Sequence, residues 1–542
     1  MQSQTILTTP AIQIARASTL WRKNGVLTLS SLVVAFLMLL PLSYLLWRAL
    51  GVGAEEAVEL LLRPRTLTII GNSILLAVTV TVAALVIALP LAWLTVATDL
   101  PGRKAWSVLT TLPLVFPSYI GAFALIALIG PRGIVQGWLE PLGVERLPPI
   151  YGFGGAAWTL TLFTYPYLLL SIRAGLRNLD PTLIEAARGL GYTPWQSFWR
   201  ITLPGLRQSI VAGALLVALY VISDFGAVAT MRFTTFTRAI YVQYLNSFDR
   251  SLAALLALVL VIVTLLLLFA AQRIQGRRTT YRSGVGTARK QTLVTLGGWR
   301  WPALFFCGLI VGMALIMPTG VIVYWLLRGL AAGESLQPVW QATLNSVKAS
   351  GLAALVTVIG ALPVAYLAVR FPSRISLWVS RLVYMGYGLP GVVIALSLVF
   401  LGANYLTPLY QTLTMLVFGY AVRFLPQAMG TLRANLLQIS PRLEEAARSL
   451  GLTQRQTLWQ VTAPLLRPGL WAGVALVFLS TIKELPATLL LGPTGFTTLA
   501  IQIWSATEEA FFARAAAPAL LLLAVSACSI VIILQQEKRG VS

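Results

Sequence analysis

Twelve apolar runs separated by short polar segments dominate this chain. They lie near residues 27–47, 70–96, 106–129, 154–174, 209–230 and 251–271, and then near 302–327, 344–369, 380–402, 411–432, 469–490 and 513–534. Runs of about 20 apolar residues match the length of a helix that crosses a hydrocarbon core of roughly 30 Å. The pattern predicts an all-α polytopic membrane protein with twelve transmembrane helices.

The twelve runs form two sets of six. Asn72-Ser73 corresponds to Asn345-Ser346, Pro90 to Pro363 and Pro117 to Pro390, all at an offset of 273 residues. Pro166 and Pro426, Asp224 and Glu484, and Phe236-Thr237 and Phe496-Thr497 correspond at 260. The 13 missing residues fall in the loop after the third run of each half. A duplicated six-span unit is expected, with the copies in one orientation, an axis along the membrane normal and the substrate path between them. The expected organisation is a cytosolic segment 1–26, a first repeat 27–271, a basic linker 272–301, a second repeat 302–534 and a cytosolic tail 535–542. The linker reads as a solvated tether. The start of the chain shows no cleavable signal pattern, so the first run is expected to be a retained span.

Basic residues set the expected orientation. With both termini inside, 27 Lys and Arg fall in cytosolic segments and 10 in the opposite loops. That bias matches the positive-inside rule. It also accounts for the net charge of +23 without a phosphate-binding face, so no nucleic-acid partner is expected. Mean hydropathy is +0.81 with 11% charged residues, far from a soluble composition. The chain has no histidine and two cysteines, Cys307 and Cys528, both in apolar runs where they read as buried small hydrophobes. No Gly-rich loop of the Gly-x4-Gly-Lys-Ser/Thr type occurs, so ATP binding would have to belong to another chain. No nucleophile–base set suggests an enzyme, no stable metal site is expected, and no cofactor is expected in this chain.

Two polar islands interrupt the apolar pattern at the 260-residue offset. The first is Glu185-Ala-Ala-Arg-Gly-Leu-Gly191, ending at Ile201-Thr-Leu-Pro204; the second is Glu445-Ala-Ala-Arg-Ser-Leu-Gly451, ending at Val461-Thr-Ala-Pro464. Asp180-Pro181 and Ser440-Pro441 have the form of an N-cap with Pro at the first helical position. Gly191 and Gly451 suit left-handed C-caps. A second helix is expected from Thr193 and Thr453, with Trp195, Phe198 and Trp199, or Leu458 and Trp459, on its apolar side. A helix–Gly–helix elbow of this kind suits a groove on a partner. A helix lying on headgroups would look similar; its recurrence in register with a duplicated unit favours the partner.

Both islands resemble the cytoplasmic loop of ATP-binding-cassette importer permeases of the type I fold. The resemblance covers both halves, with Val461 and Ala463 as mild departures. It implies that Glu185, Ala186, Ala187, Gly191, Glu445, Ala446, Ala447 and Gly451 contact two copies of a separate ATPase that holds ATP and Mg. It also implies an extracytoplasmic receptor for the substrate and a place in the bacterial cytoplasmic (inner) membrane. Ser223-Asp-Phe-Gly-Ala-Val228 and Lys483-Glu-Leu-Pro-Ala-Thr488 resemble the ferric-iron branch, so the receptor would bind iron. Permeases for thiamine, phosphonate, sulfate or polyamine share the architecture.

Asp224, Lys483 and Glu484 lie in the fifth run of each half. Ionisable groups there cost on the order of 2.5–3.5 kcal/mol, so they usually face a partner or a wet cavity. They are candidates for the translocation path or its gate, with transient Fe(III) contact at Asp224 and Glu484. The alternative is structural, with Lys483 neutralising a neighbouring carboxylate and these groups bracing helix ends. Arg423 is expected to snorkel or to pair locally. A competing reading is an ion-driven secondary transporter, for which Asp99-Leu-Pro-Gly-Arg-Lys104 is a faint echo; that class has no need of the two elbows.

Overall fold

A computed structural model describes residues 25–131, 133–144, 147–246, 251–275, 293–335 and 337–539. The segment 1–26 and the linker 272–301 lie largely outside the described residues, as does the end of the 535–542 tail. The described chain is helical almost throughout, with a single isolated bridge between Thr98 and Val294.

Among the described residues, eight helices are long and apolar enough to cross a membrane, or nine if one bent pair is a single span. The chain is therefore a multi-pass membrane protein. The difference from twelve has physical causes. The helices Phe153–Asn178 and Leu413–Gln438 correspond to expected runs and are 26 residues each. Both are largely enclosed by protein and carry polar groups such as Thr164, Arg173 and Arg423 where lipid does not reach them. The ninth run is a helix of only 14 residues, Gly391–Asn404. The third and ninth runs are broken: Pro117 and Pro390 sit in extended backbone at the N-caps of Ser118–Ile129 and Gly391–Asn404. A proline inside a span can break or kink its helix, but Pro90 and Pro363 do not break theirs. Instead they lie inside the unbroken 34-residue helices Pro64–Ala97 and Gln337–Arg370.

The chain divides into two compact units that do not follow the two sequence repeats. One is Arg48–Thr343 with Thr497–Ala524; the other is Met1–Trp47, Leu344–Phe496 and Val525–Ser542. In the former, Phe153–Asn178 packs between Pro64–Ala97 and Arg207–Ser223. In the latter, Leu413–Gln438 packs on Ala463–Thr481. These contacts rest on small side chains at the crossing, as helix pairs in lipid require. A Cβ on Gly175 would meet Ser209 Oγ at 2.3 Å, and a Cβ on Gly469 would meet Asn435 Cγ at 2.6 Å. Gly175 and Asn435 are equivalent positions, as are Ser209 and Gly469. The two halves have thus exchanged which helix carries the glycine.

The far end of the linker is held against the loop after Pro64–Ala97. Val294 N–H donates to Ala97 O (2.8 Å) and Asp99 N–H to Val294 O (3.1 Å). Leu296 N–H and Arg300 Nη2 donate to the Asp99 carboxylate at 2.9 and 2.5 Å. The Leu296 amide and the Arg300 guanidinium hold the Asp99 carboxyl below the usual carboxylate range. The Asp99 stretch thereby acquires a structural role. Cys307 is buried as expected, whereas Cys528 is exposed on its helix.

Candidate functional site

Both islands fold as elbows. Their first helices, Pro181–Gly189 and Pro441–Ser449, end in a left-handed glycine, Gly191 at φ +86° and Gly451 at φ +88°. The N–H groups of Gly191 and Tyr192 return to the carbonyls of Arg188 and Ala187, both at 3.0 Å; Gly451 and Leu452 repeat this with Arg448 and Ala447. These are Schellman ends, and a Cβ would be strained at either glycine. Asp180 caps the first helix by accepting from Thr182 N–H at 3.0 Å. Ser440 occupies the matching position, but its side chain makes no cap bond. The second helices open with reciprocal Thr–Gln caps, Thr193 with Gln196 and Thr453 with Gln456.

Glu185, Ala186, Gly191, Glu445, Ala446 and Gly451 are exposed, while Ala187 and Ala447 are buried at the inner side of the elbow. The tips carry bare apolar side chains at equivalent positions. Leu190 and Leu450 are 80% and 85% exposed, and Trp199 and Trp459 are 49% and 67% exposed. Large apolar groups in matched exposed patches mark a surface that something covers.

One feature has no trace in the sequence pattern. Each second elbow helix passes into a π-helical turn, Phe198–Thr202 and Leu458–Thr462. Such turns are rare and concentrate at functional positions. Beyond them the halves differ. Trp195–Gly205 meets Arg207–Ser223 at a 63° bend, whereas Gln454–Thr481 continues as one helical stretch of 28 residues.

The second elbow is also tied to a span. Glu444, next to Glu445, is buried and accepts from Arg370 Nε at 2.9 Å and Thr462 Oγ1 at 3.1 Å. Arg370 Nη2 also donates to Ile439 O at 3.0 Å. Arg370 ends the helix Gln337–Arg370, so the pair joins span, elbow and π-turn. The equivalent positions in the first half are Ala97 and Ile184. There a different anchor stands above the elbow. Arg173, 3% exposed, donates to Thr95 Oγ1, Ser107 O, Thr111 Oγ1 and Thr110 Oγ1 at 2.8–3.0 Å. Position 173 falls in an expected cytosolic segment, and nothing in the hydropathy pattern marks its burial. The signal that could have found it is the hydroxyl-rich run Ser107, Thr110, Thr111.

Asp224 and Glu484 share a local role. Each follows the end of a helix, at Ser223 and Thr481, and caps a short helix beyond it, Gly226–Thr230 and Pro486–Leu491. Asp224 Oδ1 accepts from Ala227 N–H at 2.9 Å and Glu484 Oε1 from Ala487 N–H at 3.3 Å. Both side chains are buried. Ser118 Oγ donates to Asp224, while Arg423 Nη1 pairs with Glu484 at 2.6 Å. Gly391, the counterpart of Ser118, leaves room for Arg423; a Cβ there would lie 1.5 Å from its Nη1. Glu484 is thus ion-paired to Arg423 of the tenth run, and the adjacent Lys483 is half-buried.

The sequence pattern of binding-protein-dependent transport system inner membrane components matches residues 84–281 and again 357–539. The chain is 36% identical over 492 residues to the Fe(3+)-transport system permease protein FbpB 2 of Haemophilus influenzae, covering 90% of this chain and 94% of that protein. It is 25% identical to the ferric transport system permease protein FbpB of Actinobacillus pleuropneumoniae, over 81% of this chain and 66% of that one. It is 28% identical to the sulfate transport system permease protein CysT of Escherichia coli, over 46% of this chain and 90% of that one. The family pattern occurs twice and covers most of the sequence: this chain belongs to the binding-protein-dependent transport system inner membrane components, in the form that joins two permease repeats in one polypeptide.

Proposed function

We propose that this chain is the transmembrane permease of an ATP-driven ferric-iron importer, worked through its two elbows by a pair of ATP-binding-cassette subunits. The supporting observation is the pair of equivalent elbow tips, with Leu190 and Leu450 exposed on helices fixed by left-handed glycines. ATP and Mg reside on the partner subunits. An extracytoplasmic receptor delivers the iron. Iron is favoured over sulfate because the ferric relative in Haemophilus influenzae is 36% identical, against 28% for the sulfate relative.

In this reading the elbows are unequal. The second is a stiff lever, continuous through its π-turn with the span that ends before Glu484 and braced by Arg370 and Glu444. The first is jointed at the 63° bend. Asp224, Lys483 and Glu484 belong to the gate. Since each carboxylate caps a helix break, a passing Fe(III) would contact it only while that cap opens.

The test is co-purification of the full chain with its ATPase, together with radioiron uptake in cells. Replacing Gly191 and Gly451 together with Val is expected to abolish the complex and uptake. Asp224→Asn combined with Glu484→Gln is expected to lower uptake with docking intact. ATPase binding that survives the double glycine change, or uptake driven by an ion gradient without the ATPase, would overturn the assignment.

A further inference from the structure

A cavity of about 480 Å³ opens where Met317–Ala331 ends and where Gln337–Arg370 and Phe512–Arg539 begin, with Leu499–Glu508 along one side. None of its residues takes part in the elbows or the gate. Because three apolar helices start or stop here, the cavity sits at headgroup depth. Exposed Trp340 and Phe511 beside it fit the aromatic belt of that zone. Its deeper wall includes Leu326, Leu330 and Ala517.

The polar groups around it form an incomplete set. Arg514 Nε reaches both Glu334 carboxylate oxygens at 3.2 Å, longer than a tight charge-assisted bond, and the two side chains are 58% and 36% exposed. The Nη groups of Arg514 bond nothing else among the described residues. Gln502, Ser505 and Glu509 line the cavity at helical spacing, on one face. Glu509 forms no ion pair among the described residues. Gln502 donates Nε2–H to Pro338 O at 2.9 Å, yet its Oε1 is buried with no hydrogen-bond partner. A buried acceptor without a donor is costly and asks for an N–H.

A ligand that satisfies these groups offers an anion to Arg514, a hydrogen-bonding cation to the Gln502–Glu509 face, and an apolar tail to the leucine wall. We propose that this cavity binds the headgroup of phosphatidylethanolamine. Its phosphate takes the Arg514 Nη groups, and its ammonium donates to Gln502 Oε1 in the field of Glu509. An acyl chain lies over Leu330. A choline head carries the same charges but has no N–H to donate; a glycerol head has no cation.

The experiment uses the full chain in nanodiscs of phosphatidylethanolamine, phosphatidylcholine or phosphatidylglycerol with identical acyl chains. It reads thermal stability, and lipid retention by native mass spectrometry. Phosphatidylethanolamine is expected to be retained about tenfold better than the other two, the worth of one charge-assisted hydrogen bond. Gln502→Leu combined with Glu509→Gln is expected to erase that preference while stability in phosphatidylcholine stays at the wild-type value, which controls for folding. Equal retention of all three lipids, or a preference that survives the double variant, would overturn the proposal. So would protection by free O-phosphoethanolamine equal to that by the lipid, since it would mark a site for a soluble ligand.

Discussion

Glu444 is the residue whose replacement should say most about the second elbow. Its side chain and that of Arg370 are only 10% and 8% exposed. Their bond is therefore a buried ion pair, not a screened surface contact. Glu444→Ile leaves a guanidinium buried without its counter-charge, which costs about 3–5 kcal/mol. For a cooperative unit of about 150–250 residues, that corresponds to a fall in Tm of roughly 6–20 °C. Arg370→Ala should cost a similar amount by orphaning the carboxylate. The double variant Arg370→Ala with Glu444→Ile copies the residues that the first half carries at these positions, Ala97 and Ile184. It should recover most of the loss, because replacing a buried pair by apolar groups is often near neutral. The coupling energy of the cycle should then reach at least about 2 kcal/mol. Thermal scans of the three variants in nanodiscs measure it. Little change on raising salt is expected, because burial shields the pair from counter-ions. A single variant within about 2 °C of wild type would mean the pair behaves as an exposed one, worth about 0–1 kcal/mol. A double variant that loses the sum of both singles would mean the two side chains are not coupled. The functional readout is separate: on the proposed function, the double variant is expected to bind the partner ATPase but transmit its closure less well, so that hydrolysis continues with reduced iron uptake.

Two other expectations follow from particular contacts. Gly175→Asn should destabilise the crossing of Phe153–Asn178 with Arg207–Ser223 by overpacking, about 1–3 kcal/mol, and adding Ser209→Gly should largely restore it, since that pair reproduces Asn435 with Gly469; no rescue in the thermal scan would refute the exchange. The Asp99 carboxyl has a depressed pKa in the folded chain, so its contribution is present above the ordinary carboxylate value near 3.8 and is lost as pH falls through the lower folded value. Asp99→Asn should raise hydrogen exchange at Leu296 already at neutral pH, and protection unchanged from wild type would show that the latch does not depend on that charge.

The duplicated unit, the two elbows and the matched acidic positions were legible because each is a repeated identity, visible without knowing any contact. Gly191 and Gly451 could be read as helix ends because only one backbone conformation explains a glycine there. Hydropathy says less where the bilayer is not the solvent. Phe153–Asn178 and Leu413–Gln438 stand out as apolar runs, but hydropathy does not show that they pack among other helices, where Arg173 and Arg423 find their partners.

What the repeat concealed was asymmetry. Aligning the halves emphasises what they share, yet the differences at aligned positions decide the mechanics. Ser118 stands opposite Gly391 and Phe163 opposite Arg423, and these two changes together decide whether the carboxylate at the break is met by a hydroxyl or by a guanidinium. Ala97 and Ile184 stand opposite Arg370 and Glu444, the ion pair that ties the second elbow to its span. A chain of two separate but identical subunits could not hold such differences. Fusion of the repeats fixes which half is which, and so permits one elbow to be a braced lever and the other a joint. If the braced half carries the larger share of transmission, Gly451→Val alone should lower uptake more than Gly191→Val alone, although both glycines have the same backbone strain. Equal losses from the two single changes would mean that the brace and the bend do not matter to coupling, and that the halves are pulled alike.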